Sequence, residues 1–151
     1  MPITVASESL PLSEAEVEAL WEATFTRCGQ PDDTVGVSAI SPEEMRTLNR
    51  DHRGKDKPTN VLTFSYGDWQ QAIDNGEEDD DHDVLVCLEV AQAEAKERDM
   101  PYKDYVALLL VHAFLHVCGL DHELSTEEAA RTETLEEEIL QSCGYPKYHL
   151  T

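Results

Sequence analysis

The uncharged run from Tyr105 to Leu120 constrains this chain more than any other segment. It falls short of the ~20 residues that span a bilayer, and a helix that is apolar nearly all round must be covered on every side. The segment from Tyr102 to Cys118 is therefore predicted to be the central buried helix. Two histidines, His112 and His116, stand within it. Four residues of helix amount to ~6 Å of rise and about 40° of rotation, so both rings share one side. Gly119 can adopt the left-handed conformation that turns the chain and brings His122 back toward them.

The segments around this helix alternate in character. Pro2 to Ala6 has strand composition, and Ser13 with Glu16 forms a capping box for a helix that Gly29 closes. Thr34 to Ile40 predicts a second strand. Ser41, Pro42, Glu43 and Glu44 then open a helix expected to end near Asp51. Arg53 to Thr59 carries the punctuation of a turn, followed by strands over Val61 to Tyr66 and Val84 to Leu88. Glu89 to Met100 predicts a helix stopped by Pro101, and Ser125 with Glu128 caps a last helix running to about Ser142. The order β-α-β-α-β-β-α-α-α predicts an α+β fold: one domain over residues 1–151, with a small mixed sheet covered by helices.

Composition narrows the setting. An apolar fraction of 40% excludes wholesale disorder. Four isolated cysteines without a CxxC pair fit neither a zinc ribbon nor a disulfide scaffold, which points to a reducing cytoplasm. The first residues lack the basic and apolar stretches of a leader, so neither export nor membrane association is expected. Gly67 to Asp83 is so rich in carboxylates that it is expected to be a mobile loop. A net charge of -21 argues against a nucleic-acid partner, yet five of the eleven cations, Arg46, Arg50, Arg53, Lys55 and Lys57, fall between positions 46 and 57.

Three histidines with an open fourth position describe a catalytic zinc site better than a structural one, which usually has four protein ligands. One zinc per chain, held by His112, His116 and His122, is the expectation. The same spacing occurs in metzincin proteases, but the residue after the first histidine is Ala113 rather than the general-base glutamate, and no methionine follows the cluster. Asp121 is the nearest carboxylate in sequence, a candidate base or histidine partner whose plainer reading is a turn aspartate.

Two motifs, RGKDKPTNVLTF from Arg53 to Phe64 and HAFLHVCGLDH from His112 to His122, resemble those of the YbeY family of metal-dependent endoribonucleases. The resemblance implies hydrolysis of RNA in ribosomal RNA maturation, with the three histidines on zinc, Arg53 beside the metal, and ribosomal proteins or assembly factors as further partners. Asp83 matches the family's strand-opening aspartate. Departures are Ala113 for a usual glycine, Cys118 at a variable place, and His82 for the glycine that commonly precedes Asp83. Two other readings use the same histidines: a peptidase or amidase, and a non-catalytic ribosome-assembly module fastened by zinc.

Overall fold

The computed structural model describes residues 3–5, 10–28, 35–65, 82–118 and 126–148. Its elements follow the predicted order: β1 (Ile3–Val5), α1 (Glu14–Cys28), β2 (Val35–Ala39), α2 (Pro42–Arg53), β3 (Val61–Ser65), β4 (His82–Val86), α3 (Leu88–Glu97), α4 (Tyr102–Val117) and α5 (Thr126–Ser142). The predicted Gly29 cap, the Gly119 turn, the Ser125 capping box and the acidic segment 67–81 lie outside the described residues.

Local chemistry accounts for the ends that are described. Ser13 and Glu16 exchange hydrogen bonds at the start of α1, and Ser41 and Glu44 do the same at α2. Each pair satisfies two N–H groups that a helix start otherwise leaves unpaired. At its other end α2 outruns the expected stop near Asp51 and continues through Arg53. Gly54 ends it in the left-handed region, at φ 73°, where its N–H reaches the Arg50 carbonyl at 3.1 Å. Arg53 thus closes a helix rather than opening a turn.

The four strands lie in the order β1-β2-β4-β3. β1 to β2 and β2 to β4 pair in parallel, while β3 runs antiparallel to β4 with Val61 opposite Val86. The sheet is therefore mixed. The last strand runs from His82 to Val86, not from Val84 to Leu88 as its apolar residues suggested. His82 and Asp83 join it because β4 is flanked on both sides, and its backbone finds partners along Val35 and Gly36 on one edge and Phe64 and Ser65 on the other. Leu88 starts α3 instead.

Side chains alternate across a strand, so β4 feeds two cores. Val84 and Val86 join Val35, Val37 and the buried run of α4, while Leu85 packs with Leu62, Phe64 and Met45 of α2. Residues 105 to 111 and 113 to 115 of α4 are all buried, with α1, α3, α5, β3 and β4 packed around the helix. Phe114 meets Trp21 edge-on at 5.1 Å between centroids. Phe114→Ala is expected to lower the unfolding free energy by about 3–5 kcal/mol in a denaturant titration, because a fully buried ring leaves a cavity that its neighbours fill only in part. Among the described residues no helix is long and apolar enough to cross a membrane.

Candidate metal centre and basic tract

His112 and His116 occupy the last two turns of α4, one helical turn apart, where its buried run gives way to solvent. The His112 side chain keeps 14% of its surface exposed, and His116 is exposed. The structure brings these two rings to one side of the helix, as their spacing requires. His122 and Asp121 lie outside the described residues, and among the described residues no three His, Cys, Asp or Glu side chains converge.

Sequence reading missed one participant. Glu136 of α5, only 1% exposed, places Oε2 in hydrogen-bond contact with Nδ1 of His112. A signal for it existed: Thr132, Glu136, Ile139 and Leu140 are spaced as the inward stripe of a helix, and all four are buried. A ring held at Nδ1 by a carboxylate keeps Nε2 for another partner, the arrangement usual for metal-bound histidine. Two imidazoles, one of them held by a carboxylate, are donors that suit a divalent transition metal.

Arg53 stands on a different element, exposed at the end of α2. No hydrogen bond or ion pair joins it to either histidine among the described residues. Its surroundings are nonetheless built with care. Arg46 holds Asp56 with a two-pronged contact, Nε to Oδ1 at 2.8 Å and a second nitrogen to Oδ2 at 3.1 Å. The hydrogen bond from Arg46 holds the Asp56 carboxyl below the usual carboxylate range. The buried Asn49 amide donates to the Lys57 carbonyl at 2.8 Å, and the His52 ring packs edge-on against Phe64 at 5.7 Å. These contacts tie the turn after Gly54 back onto α2, and α2 onto β3.

The basic tract therefore divides in two. Arg46 pairs with Asp56 and Arg50 with Asp51, whereas Arg53, Lys55 and Lys57 are exposed and make no ion pair among the described residues. Beyond the turn, Asn60 donates to Glu94 of α3 at 2.9 Å, and the Tyr105 hydroxyl donates to the same oxygen at 2.7 Å. Burial, aided by Glu94, pushes the Tyr105 phenol up to about 12, so it remains a donor. This anchors the start of β3 to α4, the helix that carries the histidines.

The sequence profile described as Endoribonuclease YbeY matches residues 3–144. The chain belongs to the YbeY family. Among its relatives, Endoribonuclease YbeY of Burkholderia lata is 44% identical over 110 residues, covering 73% of this chain and 60% of that protein. Endoribonuclease YbeY of Acinetobacter baumannii is 36% identical over 135 residues, covering 89% and 85%. The solution structure of TM1509 from Thermotoga maritima superposes with a TM-score of 0.60 at 26% identity, over 93% of this chain and 90% of that one. The chain thus spans about 60% of the Burkholderia relative's length.

Proposed function

We propose that this YbeY-family chain is an endoribonuclease of ribosomal RNA maturation, working as one domain in the cytoplasm with one zinc on His112, His116 and His122. The observation that supports the metal reading is the Glu136 contact at Nδ1 of His112, a carboxylate–histidine pair of the kind that accompanies metal-bound imidazole. Bound zinc would lower the pKa of a water toward ~7 and polarise a phosphoryl oxygen.

The chain's own residues supply the rest. Arg53 holds phosphate oxygens with its guanidinium fork, which a fixed helix end presents at small entropic cost. Lys55 and Lys57 give a local positive field that draws RNA to an otherwise acidic molecule. Asp121 is the candidate proton acceptor or histidine partner beside His122. Ribosomal proteins or assembly factors would be the further partners.

The test is cleavage of structured and single-stranded ribosomal RNA fragments by metal-replete and chelator-stripped protein. Chelation is expected to abolish cleavage and one equivalent of zinc per chain to restore it. Equal cleavage with and without metal would overturn the zinc reading, and cleavage of peptides or amides in place of RNA would overturn the substrate reading.

A further inference from the structure

We propose that Glu136 is the positioning residue of the metal site, holding His112 in the one ring orientation and tautomer that presents Nε2 to the ion. The proposal rests on the reading of His112 as a ligand.

Residues 132, 136, 139 and 140 form the buried stripe of α5, and the two after Glu136 are Ile139 and Leu140. A branched aliphatic side chain is the ordinary occupant of such a place. Leu135, next to it, remains partly exposed while Glu136 is buried. The helix has turned a carboxylate inward. Burying an anion carries a desolvation cost that a hydrogen-bonded partner only partly offsets, so a pair of this kind is a poor device for stability alone.

A neutral imidazole has one donor and one acceptor nitrogen, and an ionised carboxylate can only accept. With a neutral ring against an ionised carboxylate, the contact with Glu136 places the hydrogen on Nδ1 of His112 and the lone pair on Nε2. α5 reaches the site from 24 residues downstream in the chain, so its packing against α4 and the setting of the metal ligand are one event.

The experiment compares Glu136→Leu, Glu136→Gln and His116→Ala with wild type, measuring zinc affinity by chelator competition and the thermal midpoint of the metal-free protein. Leucine suits the buried stripe and removes a buried charge, and the Nδ1–H it orphans belongs to a ring that keeps 14% of its surface exposed, so the metal-free midpoint of Glu136→Leu should change little. Its zinc dissociation constant should rise roughly tenfold to a hundredfold, with Glu136→Gln, which keeps an accepting oxygen, in between. A purely structural glutamate would give the reverse pattern. Long-range proton–nitrogen correlation spectra of the metal-free protein give a second readout: wild type should show the Nδ1–H tautomer at His112, and Glu136→Leu should lose it.

Zinc affinity within threefold of wild type in folded Glu136→Leu overturns the proposal. Should that variant not fold, wild-type affinity in Glu136→Gln overturns it instead. A wild type that takes up no zinc, or a His116→Ala variant that binds as well as wild type, overturns the ligand reading itself; the tautomer measurement still decides what Glu136 does to the ring.

Discussion

His116→Ala is expected to lose roughly a hundredfold to a thousandfold in zinc affinity and to leave no measurable RNA cleavage at stoichiometric metal. The magnitude follows from ~10–16 kcal/mol for a four-ligand structural zinc, or about 2.5–4 kcal/mol for each ligand, every 1.4 kcal/mol being tenfold. The fold should not suffer. His116 is exposed at the end of α4, beyond the buried run that closes at Leu115, so its removal opens no cavity. Chelator competition for affinity, elemental analysis for stoichiometry and a metal-free thermal midpoint separate the two effects. Wild-type affinity in this variant would remove the metal centre from consideration, and a collapsed midpoint would make His116 a packing residue.

Arg53→Ala is expected to slow single-turnover RNA cleavage by roughly a hundredfold to a thousandfold, the cost of about 2.7–4 kcal/mol for one lost transition-state donor. Arg53→Lys should recover little, since an ammonium cannot reproduce the guanidinium fork. The position of Arg53 sharpens the expectation. It is exposed, it makes no ion pair among the described residues, and the helix end it occupies is secured by Gly54, Asn49 and the Arg46–Asp56 contact rather than by Arg53 itself. Thermal midpoint and zinc content should therefore match wild type in both variants. Near-normal cleavage by both would sink the phosphate-binding role.

How much of this was readable from residues alone depended on the range of the interaction. The capping box at Ser13 and the serine cap at Ser41 each act over three residues, and their hydrogen bonds appear as the pattern requires, with Glu44 completing a box at Ser41 as well. The burial of residues 105–111 followed from the absence of any polar face. Element ends were less legible where long-range partners competed with local preference. His82 and Asp83 belong to β4 because strands on both sides supply backbone partners, and no local reading of a charged dipeptide contains that information. Arg53 ends a helix because Gly54 adopts the left-handed cap one residue later than the turn composition suggested.

By itself the sequence determined the order of the elements, the central place of α4 and the position of His112 and His116 one helical turn apart on it, because each depends on composition or on spacing within one or two turns. The tertiary structure alone decided that β4 lies between β2 and β3, that Arg46 and Asn49 pin the turn beyond Arg53, and that Glu136 meets His112. Those contacts all reach beyond one or two helical turns of chain, selected by which packing buries the most apolar surface while leaving each buried polar group a partner, and that balance exists only once the chain is folded.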